Sequence, residues 1–509
     1  MNKNYFAITI GPIVKTMGQA KYTKEIWLSS YFFSYVMKIL VEKAKVKGNI
    51  ILPFTAENTT TFDETEPLFG AGIYPDRLIM EVNDEHIKEL DKEIIEKALK
   101  EISSNTQIDF NKLKSYLNIH SITISEDELN KLELVEEDGK PITSFIHKLN
   151  RLLDVQELNP NYITDESAFI NDLFDSKTVA AFNTLAFENK KHKFKTIIDI
   201  IAQGNNKIKN LLENSEKDES NILNDTSITE ELSKHEKYLV ILRADGDNFG
   251  KVITAISDNE TQIKKFSSDL IAFSKAAAQI INTYGGVNIY IGGDDILAFC
   301  PVKTSASNIF QLVNELNKKF QEIFKDDIYK TNSVSLSYGL TITYYKYPLQ
   351  EALERSAECL FGIAKKEALK NCITFELMQH SGSIRATTLN FSKDSNFDTF
   401  LKMLNDVKEK DQLLQSLTHQ LTEDEVLLKA CLKNKSIDAY FDNHYNPENK
   451  NASVKDFIQA MRDNLKANYQ ILIDTNIKLK SEGKKEIENI EELALKQMNT
   501  IAKTINFLK

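Results

Sequence analysis

Short alternating apolar runs and longer stretches of helical spacing interleave in a repeating order along this chain. The first stretch, Tyr5–Ile10, reads as a strand and is broken by Gly11-Pro12. Residues 18–46 have helical spacing, with Ile26, Leu28, Tyr31, Phe32, Tyr35 and Ile39 on one side. Asn49–Phe54 and Arg77–Val82 are strand candidates, Asp84–Ile102 is a charged amphipathic helix, and Tyr116–Ile124 is a closing strand. The order β-α-β-β-α-β is that of a ferredoxin-like or palm domain.

The same order returns later. Tyr238–Ala244 is an apolar strand, and Asn259–Tyr284 is a helix stopped by Gly285-Gly286. Val287–Ile291 and Ile296–Phe299 flank a tight turn. Ser305–Phe324 is a helix, Val334–Tyr344 an alternating strand, Pro348–Lys370 a helix and Cys372–Glu376 a strand. Between the two units the sequence is helical and charged, with a polar connection over Asn205–Lys234. Beyond residue 381 the pattern is helical only. There Leu413, Leu414, Leu417, Leu421, Val426, Leu427 and Cys431 are spaced like one face of a small bundle. The expected fold is therefore α+β, with two ferredoxin-like palm domains of the polymerase and GGDEF type and two mainly helical domains. Their bounds are 1–130 and 236–380 for the palms, and 131–235 and 381–509 for the helical parts.

Composition narrows the setting. At 509 residues several domains are expected, and the fractions of apolar (42%) and charged (27%) residues are those of a globular protein. No run approaches the ~20 apolar residues of a membrane helix, and no signal-peptide pattern opens the chain, so the expected location is cytoplasmic and no membrane partner is expected. The four cysteines form no CxxC pair and give no zinc site or disulfide framework. A formal charge of −11 argues against strong nucleic-acid binding by the chain alone, though not within a complex whose other subunits carry positive charge. No His-Asp dipeptide occurs, so an HD-type phosphohydrolase is not encoded.

Candidate chemistry sits in two acidic motifs. Gly292-Gly293-Asp294-Asp295 occupies a hairpin tip, and Asp245-Gly246-Asp247 ends a strand. Adjacent carboxylates repel, and a divalent cation would relieve that repulsion. Asp245 and Asp247, two apart, share a face of their strand. The Gly246 carbonyl offers a further oxygen. Asp245, Asp247, Asp294 and Asp295 can hold two Mg²⁺ or Mn²⁺ ions of the kind that activate an attacking hydroxyl and stabilise leaving pyrophosphate. Gly292 and Gly293 permit close approach of a nucleotide. Lys251 and Lys365 are either point charges for a triphosphate or solvated helix lysines. Ser381, in Ser381-Gly382-Ser383, is either part of a flexible entry to the last domain or a ligand contact.

These residues resemble the large subunit of type III CRISPR effector complexes, the Cmr branch in particular. The resemblance rests on Asp245-Gly246-Asp247-Asn248-Phe249-Gly250-Lys251, on Gly292–Asp295, and on Tyr347–Leu353 with Ala364-Lys365-Lys366. At the N-terminus it rests on Ile10–Val14, Ala20–Tyr31, and Arg77-Leu78 after Tyr74-Pro75. It implies two palms packed face to face, guide RNA, target RNA and other complex subunits as partners, and nucleotide joining switched on by target RNA. The substrate it implies is ATP. The product it implies is a cyclic oligoadenylate, or a conjugate of ATP with S-adenosylmethionine. Asp294, Asp295 and Asp245 match the catalytic positions.

Two departures from the family pattern are expected: no HD nuclease domain, hence no single-stranded DNA cleavage, and no zinc cysteines between the palms. The first palm has Thr9-Ile10-Gly11 in place of the acidic strand end and shapes a second nucleotide pocket without metal. Rival readings are a diguanylate cyclase, which usually carries Glu-Phe where Asp295-Ile296 stands, and a non-catalytic scaffold subunit of an RNA-guided complex.

Overall fold

The computed structural model describes residues 3–54, 70–82, 89–135, 139, 141–158, 166–187, 194–203, 205, 208, 230–257, 259–366, 370–378, 384–391, 396–405, 411–445, 452–481, 483 and 485–508. Most of the connection expected over Asn205–Lys234, and all of Ser381-Gly382-Ser383, lie outside the described residues. The chain forms two compact units. One comprises residues 1–197, 248–298 and 318–334, and the other residues 198–247, 299–317 and 335–509.

In the first unit, β1 (Asn4–Gly11), β2 (Gly48–Leu52), β3 (Arg77–Val82) and β4 (Asn118–Ser125) form a sheet in the order β2-β3-β1-β4. β1 runs antiparallel to both neighbours, with Phe6 opposite Met80 on β3 and Thr123 on β4. A central strand is covered on both faces, and Phe6, Ala7 and Ile8 are fully buried accordingly. The helix Thr23–Ala44 carries Trp27, whose indole N–H donates to the Gly70 carbonyl at 2.7 Å. Its ring stacks on Tyr31 and Phe187. Tyr116 departs from expectation, because it ends a short helix, Phe110–Tyr116, instead of opening a strand. The cause is Asp109, whose carboxylate caps the amides of Asn111 and Lys112 and fixes a helix start there.

The first unit also holds the helices Phe249–Ile256 and Glu260–Tyr284. The second of these stops on Gly285 at φ +99°, as the sequence pattern predicts. Phe249, Phe266, Phe324 and Tyr329 pack their rings together between these helices and residues 318–334.

The second sheet contains β5 (Tyr238–Asp247), β6 (Val287–Gly292), β7 (Asp295–Pro301), β8 (Ser335–Tyr344), β9 (Cys372–Met378) and β10 (Ile384–Asn390). Its order is β10-β9-β8-β5-β7-β6. Strand β10 corrects the expectation that only helices follow residue 381. Its β-branched Ile384, Thr387 and Thr388 suit a strand, and it pairs antiparallel with β9 from Ile384 to Asn390.

Among the described residues six helices follow, from Asn396–Asn405 to Ile490–Leu508. Leu414, Leu417 and Leu421 are buried as expected, but Val426 and Leu427 are 84% and 48% exposed. The helix breaks at Asp424, which starts a new one over Glu425–Lys433, so the spacing changes phase there. All four cysteines are free thiols. No helix among the described residues is long and apolar enough to cross a membrane.

Candidate functional site

The strand end of β5 lies in the second unit. Asp247 is fully buried and its carboxylate is saturated. Oδ2 accepts from the hydroxyls of Ser335 and Ser337, both at 2.7 Å, and from the Asn371 backbone N–H at 3.2 Å. Oδ1 accepts from the Lys365 ammonium at 2.9 Å. Burial alone would raise this carboxyl, but the Lys365 charge and the hydroxyl bonds outweigh it and hold it below the ordinary range. The serines arrive by register, since Asp245 faces Ser337 and Asp247 faces Ser335 across β5 and β8. The amide arrives through a left-handed turn at Lys370-Asn371, with φ +46° and +47°. The Asn390 side chain steadies that turn by donating to the Lys370 carbonyl.

Lys365 also donates to the carbonyls of Asp245 (2.8 Å) and Gly246 (2.5 Å) and pairs with the Asp245 carboxylate. Asp245 and Asp247 do share a face, and Lys365 fills it. The arrangement does not fit a divalent ion there. Asp247 has every oxygen occupied, and the Gly246 carbonyl is taken. Among the described residues, no group of three or more His, Cys, Asp or Glu side chains is arranged to hold a metal.

The hairpin between β6 and β7 lies in the first unit, and its two glycines have separate reasons. A Cβ on Gly292 would fall 2.1 Å from the Tyr290 hydroxyl, so the first glycine makes room for that ring. Gly293 sits at φ +70°, a backbone that L residues with side chains rarely adopt. The tip is pinned by Ser274 on the helix Glu260–Tyr284. Its buried hydroxyl accepts from the Gly293 N–H at 3.0 Å and lies 3.2 Å from the Gly293 carbonyl. The outer edge of β6 is met by non-strand chain, since the Ile291 N–H donates to the Gly72 carbonyl. Asp294 and Asp295 are half-buried at this tip.

Two further groups belong to this side of the unit and escaped sequence reading. Tyr290 is pushed far above its usual pKa by burial, then by Asp295, Asp76 and Asp294. Its hydroxyl therefore stays protonated. Asp76 lies at the surface, and desolvation by the surrounding protein raises its carboxyl against the opposing pull of Arg77. No motif signals either role, because both depend on the chain from Gly70 to Asp76 running beside the hairpin.

A cavity of about 450 Å³ in the same unit is lined by His147, Asn150, Arg151, Asp154, Asn248, Gly250, Lys251 and Thr254 among others. The Phe249–Ile256 helix begins at this wall with Asn248 at φ +66° and no side-chain cap, because the Asn248 amide donates instead to the Ser333 carbonyl. The positive end of the helix dipole thus lies at the cavity wall. Lys251 is exposed, and its ammonium pairs with nothing among the described residues. Arg77 bonds Asp154 of this wall at 2.6 Å, so neighbouring residues Asp76 and Arg77 tie the hairpin side to the cavity.

The family description "Cas10/Cmr2, second palm domain" matches residues 238–374, and "CRISPR-associated protein Cmr2, N-terminal" matches residues 5–107. The CRISPR system Cmr subunit Cmr2 of Pyrococcus furiosus is 26% identical over 256 residues, which is 45% of this chain and 26% of that protein's length. Two solved structures share the fold. One is the cryo-EM apo state of type III-B Cmr-beta, with TM-score 0.51, 12% identity and coverage of 85% of this chain and 77% of that one. The other is Csm1 in T. onnurineus, with TM-score 0.50, 13% identity and coverage of 98% and 69%. Two segments of the chain, residues 5–107 and 238–374, thus match Cas10/Cmr2 domains in sequence, and its fold is similar to that of the solved Cmr-beta and Csm1 structures.

Proposed function

We propose that this chain is the nucleotidyltransferase of a type III CRISPR complex, joining nucleotides from ATP when target RNA engages the assembled complex. The observation that carries this reading is the Gly292–Asp295 hairpin, whose tip is held by Ser274 with two carboxylates half-exposed. A hairpin serving stability alone has no need of adjacent acids on a pinned tip.

The cavity beside Lys251 is the place for the triphosphate. The helix N-terminus at its wall, Lys251 and Arg151 supply hydrogen bonds and charge for a polyanion. Asp76, Asp294 and Asp295 line the acceptor side, with the Tyr290 hydroxyl available as a donor. Transfer is an in-line attack of an acceptor hydroxyl on the α-phosphorus with loss of pyrophosphate, and positioning supplies much of the rate. Divalent ions in such chemistry stabilise developing charge, taking most ligands from phosphate oxygens and water. Asp294 and Asp295 are the side chains we assign to them, and Asp245 and Asp247 are reassigned from ligands to partners of Lys365.

Two products fit. A cyclic oligoadenylate uses a second ATP as acceptor. A conjugate with S-adenosylmethionine uses a cationic one. Asp76 favours the second reading, because a third carboxylate on the acceptor side attracts a sulfonium and repels a second triphosphate. Mass spectrometry of products from ATP, with and without S-adenosylmethionine, decides between them. The double change Asp294→Ala/Asp295→Ala is expected to abolish product while leaving complex assembly intact. Full activity in that variant would return the chain to a scaffold role, and a cyclic dinucleotide from GTP alone would make it a diguanylate cyclase.

A further inference from the structure

Of the two lysines marked out by sequence, Lys251 is open to solvent, while Lys365 is withdrawn into the protein with its side chain 14% exposed. Four oxygens from three residues surround its ammonium: the Asp245 and Gly246 carbonyls, Asp247 Oδ1 and the Asp245 carboxylate. An ammonium has only three protons, so these oxygens outnumber its donors. Hard oxygens from two carboxylates and two carbonyls are the donor set of a divalent cation.

We propose that Lys365 is the resident cation of this strand end and keeps divalent ions off Asp245 and Asp247. The chain builds the position rigidly. Lys365 lies on the short turn Ala364–Lys366, which directly continues the π-helical turn Glu358–Ile363. That turn is seated on β8 by Gly339, where a Cβ would come within 2.5 Å of the Leu360 nitrogen. Asp247 cannot rotate away from the ammonium without releasing Ser335, Ser337 and the Asn371 amide together. The Lys365 charge leaves the pair of carboxylates one negative charge in excess, too little to draw a divalent ion against the ammonium. Removing that charge would leave two.

The inference does not rest on the proposed reaction, because it concerns metal binding in the absence of nucleotide. The test is Mn²⁺ binding to the full chain by calorimetry and electron paramagnetic resonance. Lys365→Met is expected to gain one bound Mn²⁺ relative to the unsubstituted chain, and Lys365→Met/Asp245→Asn to lose it again. Lys365→Arg is expected to gain none. Asp245→Asn alone, with Lys365 in place, is expected to leave Mn²⁺ stoichiometry unchanged, which tests the idea even if Lys365→Met fails to fold. An ion lost on Asp245→Asn alone, or no ion gained by a folded Lys365→Met chain, would overturn the proposal.

Discussion

Replacing Asp247 by alanine is the perturbation most directly priced by the geometry. The change strands two hydroxyls, one backbone amide and the Lys365 ammonium around a fully buried position. Losing one partner of a buried ion pair costs about 3–5 kcal/mol, against about 1 kcal/mol for an ordinary neutral hydrogen bond. No discount for solvent screening applies, since the carboxylate is inaccessible and Lys365 nearly so. At about 1.4 kcal/mol per factor of ten, local opening should become roughly 100- to several-thousand-fold more frequent. Hydrogen exchange followed by mass spectrometry reads this directly. Peptides covering β5, β8 and the start of β9 should lose protection, while the first sheet keeps its own. Asp247→Asn, which retains the shape and one acceptor, should fall between the two. Exchange in β5 and β8 that rises less than about threefold in Asp247→Ala would refute the claim that this carboxylate anchors the strand end.

Three other outcomes are expected. The Asp247 carboxyl is depressed in the folded chain, so the stability it confers is present above the ordinary carboxylate pKa of about 3.9 and is lost as pH falls through its lower folded value. Urea titrations from neutral to acid pH should therefore show a shallower loss for Asp247→Asn than for the unsubstituted chain, and parallel curves would count against the assignment. Ser274→Ala removes the clamp on Gly293 at a cost of about 1–3 kcal/mol locally, and product formation should drop about tenfold or more with the fold retained. Unchanged turnover would show that the tip needs no pin. Gly292→Ala should abolish activity because its methyl meets the Tyr290 hydroxyl, and adding Tyr290→Ala should restore folding at the hairpin by limited proteolysis. A Gly292→Ala chain of normal activity would remove the steric reason for that glycine.

The sequence disclosed what depends on local periodicity and failed where distant chain decides. Strand β1, the Glu260–Tyr284 helix and the hairpin follow from spacing and from Gly285 and Gly293. Tyr116 misled because Asp109, seven residues back, had already committed that stretch to a helix. Val426 and Leu427 misled because helical spacing was carried across a break at Asp424. At the site, the pairing of Asp245 with Asp247 on one face was legible, but their satisfaction was not. It needs Ser335 and Ser337 from β8 and Asn371 from a left-handed turn, residues about 90 or more positions away whose types carry no motif. Lys365 was visible as a charge near an acidic motif. Whether such a lysine reaches outward or inward depends on the turn that carries it, which only the packing of Leu360 on Gly339 determines.

The backbone bond from Ile291 to Gly72 has a consequence beyond holding the hairpin. β6 is the last strand of its sheet, and a bare last strand invites another chain to add itself. Here an irregular stretch from the opening third of the sequence already claims that margin just before the glycine pair. Sheet growth is blocked where the acidic tip begins, so the tip can stay open to small molecules without becoming a seed for self-association.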